Sequence, residues 1–254
     1  MTRPDVPRFN VLGVGVSALT FAQARDLVVG TAGDAKQGYV CLTSVHGIGE
    51  AQRDPGFKAI LNASWLTTPD GMPLVWLGPK GVERVYGPDL MLAVCDSGRT
   101  RGLRHYFYGG NPGVADELAA KLTARFPGLL VVGTHCPPFR ELTADELTSV
   151  ESAVALARPD IIWVGLSTPK QERFMAGPGK ALDAALLLGV GAAFDFHSGR
   201  VVQAPRWIQR SGLEWLFRAC VEPRRLAGRY LRNNSMFVLR VAAQKLGLRR
   251  YPLS

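Results

Sequence analysis

Apolar residues follow two rhythms along this chain. Short unbroken runs rich in β-branched and aromatic residues alternate with longer stretches in which apolar positions recur every three or four residues. The runs predict five strands, Phe9–Gly13, Tyr39–Leu42, His105–Tyr108, Ile161–Val164 and Ala185–Leu188, with weaker candidates at Leu129–Val132 and Trp65–Thr67. Helices are expected between them. Thr20-Phe21-Ala22-Gln23 is a capping box opening a helix through Val29, and Asp54-Pro55 starts another. Pro112-Gly113 begins one through Arg125, and Thr143-Ala144-Asp145-Glu146 caps one ending before Pro159. The alternation predicts an α/β fold, a mainly parallel Rossmann-like sheet flanked by helices. From Pro205 to Leu248 the pattern turns helical throughout, giving two or three helices whose apolar faces, among them Trp207, Leu213, Trp215, Phe217 and Phe237, lie beside arginines.

Composition narrows the class. With 254 residues, 47% hydrophobic and 20% charged, the chain is neither disordered nor fibrous and can bury a core without disulfides. Four scattered cysteines with no C-x-x-C pair argue against a zinc site and fit a reducing cytosol. The N-terminus lacks the apolar core of a signal peptide, and the most apolar stretch, Ala184 to Phe194, is far short of the ~20 residues that span a bilayer.

Charge adds a boundary. The formal charge is +9, yet residues 200–254 hold twelve basic residues against only Glu214 and Glu222, so the rest of the chain sums to −1. This divides the chain into an α/β catalytic domain, 1–199, and a basic helical appendage, 200–254. A one-sided cationic excess points to an anionic partner, nucleic acid or phospholipid headgroups. An amphipathic arginine-rich helix suits a bilayer surface, where each arginine near anionic lipid is worth ~1 kcal/mol.

Candidate chemistry gathers where strands end. Tyr108-Gly109-Gly110-Asn111-Pro112-Gly113 is a strand-loop-helix turn whose glycines permit close approach of a phosphate to helix N–H groups. Val164-Gly165-Leu166-Ser167-Thr168-Pro169-Lys170-Gln171-Glu172-Arg173 is a more specific signal, because cations in a helix's first turn are unfavourable unless an anion lies nearby. Gly189-Val190-Gly191 leads to Asp195, placed where carboxylates hold a ribose or base. Three such loops would line one nucleotide crevice. Thr67-Thr68-Pro69-Asp70-Gly71 sets a carboxylate beside it as a candidate general base, with Thr43 at another strand end. No two aspartates stand two positions apart, so no Asp-x-Asp pair exists to bridge a divalent metal to a diphosphate. No metal or other cofactor is expected, and leaving-group charge falls to Lys170, Arg84, tail arginines and helix N-termini.

The ordered motifs Pro69-Asp70-Gly71, Arg84-Val85-Tyr86-Gly87-Pro88-Asp89, Tyr108-Gly109-Gly110-Asn111-Pro112-Gly113, Pro169-Lys170-Gln171-Glu172, Gly189 to Asp195 and Ala204-Pro205-Arg206-Trp207 to Glu222-Pro223-Arg224-Arg225 resemble the WecG/TagA/CpsF glycosyltransferase family over roughly Asn10 to Phe237. The resemblance implies an inverting, metal-independent transferase moving a sugar from a UDP-sugar to an undecaprenyl-diphosphate-linked sugar in cell-surface polysaccharide or teichoic acid synthesis. It implies Asp70 as base with Thr43 beside the reacting centre, and Arg84, Gly109, Gly110, Lys170, Gln171 and Asp195 around the nucleotide-sugar. Arg218, Arg224, Arg225 and Arg229 would meet the acceptor diphosphate or the membrane. The implied location is peripheral, on the inner face of the bacterial cytoplasmic membrane, with self-association of unfixed stoichiometry and no nucleic-acid partner. Family members commonly carry Thr-x-Asn where this chain reads Thr43-Ser44-Val45-His46, so the donor is either N-acetylmannosamine-type or another hexose. Two other classes compete. A nucleic-acid-binding protein using the tail leaves the crevice motifs unexplained, and a dinucleotide oxidoreductase lacks the full G-x-G-x-x-G fingerprint.

Overall fold

The structure is a computed structural model describing residues 3–33, 38–221 and 223–253; for 223–232 the backbone alone is described. The chain opens with a hairpin, β1 (Arg8–Val11) and β2 (Val14–Ser17), then α1 (Phe21–Thr31), β3 (Gly38–Thr43), α2 (Val45–Ala51), α3 (Pro55–Ala63) and β4 (Leu66–Pro69). It continues through α4 (Met72–Val75), α5 (Gly87–Gly98), β5 (Arg104–Gly109), α6 (Val114–Arg125), β6 (Leu130–His135) and α7 (Ala144–Ala157). Then follow β7 (Ile161–Gly165), α8 (Lys170–Ala176), β8 (Leu186–Gly189), α9 (Ala193–His197), α10 (Arg206–Arg210), α11 (Glu214–Val221) and α12 (Pro223–Lys245).

Six strands form one parallel sheet in the order β4-β3-β8-β7-β5-β6, with helices on both faces. Alternation along each strand sorts side chains between two cores. Val40, Leu42, Phe107, Trp163 and Leu188 face α1, α5 and α6, whereas Tyr39, Cys41, Tyr108, Ile162 and Leu187 face α2, α3, α7 and α8. The expected caps form: Thr20 with Gln23, and Thr143 with Glu146, make complete capping boxes, and Asp54 caps α3.

The first predicted strand needs correction. Phe9–Gly13 is not one strand, because Leu12 (φ 53°) and Gly13 (φ 83°) are the two central residues of a tight turn between β1 and β2. Asn10 accepts the Gly13 N–H at 2.7 Å and fixes that turn.

The tail forms three helices and returns to the body. Phe237 of α12 is buried in the core on the α2 side, Gln244 reaches Leu12, and the Tyr251 carbonyl accepts from Asn10 at 2.6 Å. Among the described residues no helix is long and apolar enough to cross a membrane.

Candidate functional site

Every strand of a parallel sheet ends on the same edge, so Thr43, Pro69, Gly109, Gly165 and Gly189 share one rim. Register makes them neighbours: Thr43 lies opposite Pro69, Gly109 opposite Gly165, and Gly189 opposite both Val164 and Cys41. The three glycine-bearing loops follow the adjacent strands β5, β7 and β8, which brings the predicted constellations together along one edge of the sheet. The glycines also have packing reasons. A Cβ on Gly109 (φ 131°) would lie 2.6 Å from the Gly165 carbonyl oxygen, and one on Gly165 would lie 2.7 Å from the Phe194 ring. Close strand-end packing leaves bare backbone at the rim.

Asp70 directly follows β4. Its N–H donates to the Thr43 carbonyl at 2.9 Å, tying the two predicted catalytic residues together. Its Oδ1 accepts the Gly87 N–H at 3.1 Å, at the start of α5. Partial burial pushes the carboxyl up to about 6; Glu214 adds to the rise, while Arg84, the Gly87 N–H and Arg218 oppose it. A carboxyl tuned towards neutrality and only partly buried suits proton abstraction. The Thr43 hydroxyl is buried and has no hydrogen-bond partner among the described residues.

Arg84 braces the Asp70 backbone. Its Nε donates to the Asp70 carbonyl at 2.5 Å, its Nη2 pairs with Glu214 of α11, and its guanidinium lies 3.9 Å from the centre of the Tyr86 ring. The Tyr86 hydroxyl donates to the other Glu214 oxygen at 2.8 Å. Arg84, expected at the nucleotide, gives its Nε and an Nη2 donor to protein acceptors. Sequence reasoning missed Glu214 and Tyr86, although an acid standing among twelve basic residues was a visible signal.

The loop after β7 separates its candidates. Gln171 is buried, and its Oε1 accepts the Gly191 N–H at 3.0 Å, so it joins two crevice loops from within. Lys170 is exposed, with its ammonium 3.7 Å from the Phe139 ring centre. The anion expected for the cations of this turn is partly internal, since Arg173 pairs with Asp54 at 2.5 Å. Asp195 lies in the single turn of α9, and its carbonyl accepts from Arg200 and Val201.

Of the tail arginines, Arg218 lies 5.7 Å from the Phe196 ring centre and its charge is felt at Asp70. The side chains of Arg224, Arg225 and Arg229 lie outside the described residues. A cavity of about 520 Å³ between α5 and α10 adjoins the clamp that Arg84, Glu214 and Tyr86 form, with Arg84, Tyr86, Asp89, Arg206 and Arg210 in its walls. Trp207 on α10, Leu213 just before α11, Leu216 on α11, Val238 and Leu239 on α12, and Leu246 just after it are exposed.

Comparison with known proteins adds a chemical frame. Residues 9–251 match the sequence description of the glycosyl transferase WecG/TagA/CpsF family. The chain is 29% identical over 197 residues, 76% of its length and 75% of the relative's, to N-acetylglucosaminyldiphosphoundecaprenol N-acetyl-beta-D-mannosaminyltransferase of Bacillus spizizenii. The protein of that name from Bacillus subtilis is 27% identical over 177 residues, 68% of this chain and 67% of the relative.

Proposed function

We propose an activity from one premise: the chain belongs to the glycosyl transferase WecG/TagA/CpsF family. It transfers a sugar of the N-acetylmannosamine type, or another hexose, from a UDP-sugar to an undecaprenyl-diphosphate-linked sugar, in synthesis of a cell-surface polysaccharide or teichoic acid. The observation that carries this reading is Asp70 at the strand-end rim: its carboxyl, raised to about 6, accepts the Gly87 N–H of α5, and its backbone N–H holds the Thr43 carbonyl. Asp70 takes the proton of the acceptor hydroxyl as that oxygen bonds to the anomeric carbon. The bond from that carbon to the UDP oxygen breaks on the opposite face, UDP departs with the electron pair, and the configuration inverts.

In this reading the nucleotide lies along Gly109, Gly110 and Asp195, with Gln171 holding the loops from below and Lys170 at the rim. Arg84 serves the nucleotide only indirectly, by bracing Asp70. The acceptor enters from the tail side, where the cavity between α5 and α10 supplies arginines near the clamp. Residues 200–254 act as a membrane-seating appendage, with Arg218, Arg224, Arg225 and Arg229 towards the acceptor diphosphate or lipid. The protein works at the inner face of the cytoplasmic membrane without a metal, and self-association on that surface is compatible with this arrangement.

The test is UDP release from a panel of UDP-sugars with a short-chain diphospholipid-linked N-acetylglucosamine or glucose acceptor, in EDTA. One donor is expected to give acceptor-dependent release, unchanged within about twofold by EDTA. Loss of more than about tenfold of the rate in EDTA, restored by Mg²⁺ or Mn²⁺, would show that a metal meets the leaving diphosphate instead.

The exposed apolar and basic tail supports a lipid partner over a nucleic-acid one. Full-length protein is expected to sediment with vesicles of anionic phospholipid, to stay in solution with zwitterionic vesicles, and to leave duplex DNA unbound at physiological salt. Retention on DNA with no vesicle binding would favour the second reading.

A further inference from the structure

Glu172, in the first turn of α8, is the one acidic side chain among the described residues that is fully buried, at 1% exposure. No ion pair of this carboxyl occurs among the described residues. A buried carboxyl without a cation is costly, and hydrophobic packing alone would favour an apolar residue there. Burial accordingly pushes its pKa up, opposed by hydrogen bonds from Thr168, its own backbone and Gln171.

The two side-chain bonds converge on one atom. Glu172 Oε1 accepts from the Thr168 hydroxyl at 2.8 Å and from the Gln171 amide at 3.1 Å, while Oε2 has no partner among the described residues. The Gln171 amide is thereby oriented so that its own oxygen accepts the Gly191 N–H at 3.0 Å. Strand β8 leaves room for this arrangement, because a Cβ on Gly189 would lie 2.9 Å from the Gln171 nitrogen. The result is a buried relay, Thr168 to Glu172 to Gln171 to Gly191. It joins the loop after β7 to the loop after β8, which leads into the helix bearing Asp195.

We infer that Glu172 is a positioning residue for the nucleotide side of the crevice: its Oε1 fixes the Gln171 amide, and through it the Gly191 backbone, in the geometry that receives UDP. This rests on the function proposed above. A residue that shapes a preformed binding surface acts alike on ground and transition states, so its loss appears in affinity and KM more than in kcat. The useful feature of Glu172 is an acceptor oxygen, which a glutamine also carries.

The experiment measures UDP affinity by calorimetry, and donor KM and kcat by UDP release, in wild type, Glu172→Gln and Glu172→Ala. Glu172→Ala is expected to weaken UDP binding and raise donor KM by about tenfold, with kcat within about threefold. Glu172→Gln returns both to within about threefold of wild type. Gly189→Ala crowds the same amide from the strand side without altering Glu172, and keeps the inference testable if Glu172→Ala does not fold; it produces the same loss of UDP affinity. A folded Glu172→Ala or Gly189→Ala protein with wild-type UDP affinity overturns the inference, as does a Glu172→Gln protein as impaired as Glu172→Ala. Wild type that neither binds UDP nor releases it from any donor overturns the proposed function itself, and the inference with it.

Discussion

Asp70→Asn lowers turnover about a thousandfold and leaves the fold intact, the size expected for removal of a positioned general base. Asparagine keeps the side-chain oxygen that accepts the Gly87 N–H and keeps the backbone bond to Thr43, so the local geometry survives. In wild type, kcat/KM rises with pH through about 6 as the base loses its proton, and this limb is absent from the residual activity of the variant. Stability moves the other way. The folded-state pKa lies above the ordinary 3.8, so the folded protein holds this proton more tightly than the unfolded chain does. The linked stabilisation is present below 3.8 and is lost as pH rises through about 6. Asp70→Asn therefore melts a few degrees higher than wild type at pH ~8, and the difference closes below pH ~4. Near-normal turnover in a folded Asp70→Asn protein removes Asp70 from the role of base.

The architecture was legible where one strand or helix carries its own signal. Tyr39–Leu42, His105–Tyr108 and Ile161–Val164 are apolar on both faces because they sit inside a covered sheet, and caps such as Thr143 with Glu146 are complete within four residues. The weaker candidates at Trp65–Thr67 and Leu129–Val132 correspond to β4 and β6, the two edges of the sheet, where pairing comes from one side only. Four helices, α2, α4, α5 and α9, have no counterpart in the sequence reading, and for two of them the reason is local. Val45–Ala51 contains two glycines and Gly87–Gly98 opens with Gly-Pro, so propensity masked segments that tertiary packing makes helical. The turn at Leu12–Gly13 was hidden because a leucine with positive φ looks like a strand residue in sequence.

Site legibility followed the same division. Strand-end glycines and Asp70 announce themselves through local motifs, and a parallel sheet brings them to one rim without further information. Partnerships across the fold do not. Glu214 reaches Arg84 from 130 positions away, and Asp54 reaches Arg173 from 119. Sequence alone could assign Arg84 a cationic role but not the anion it meets. At two of the cations singled out, Arg84 and Arg173, the structure shows a carboxylate of the protein as a partner.

That pairing makes Arg84 and Glu214 a place where structure and chemistry can be separated. Both side chains are nearly buried, at 15% and 14% exposure, and each has a second partner, Asp70 for Arg84 and Tyr86 for Glu214. Removing one member of such a pair leaves a desolvated charge, a loss of roughly 3–5 kcal/mol, whereas replacing both by apolar residues of similar volume is often close to neutral. Arg84→Met and Glu214→Met are each expected to lower Tm by about 10 °C, and the double variant to recover most of that loss. Activity should not follow Tm. With Arg84 absent, the Asp70 carbonyl loses its guanidinium donor and the carboxyl loses a neighbouring cation, so the double variant stays about a hundredfold slow even though it is stable. Glu214→Met removes instead a charge that raises Asp70, and its pH limb moves below 6. Recovery of turnover together with Tm in the double variant would assign the pair to holding α11 in place and nothing more. Stability without turnover means that the tail acid and the body arginine are part of how Asp70 is held ready for a proton.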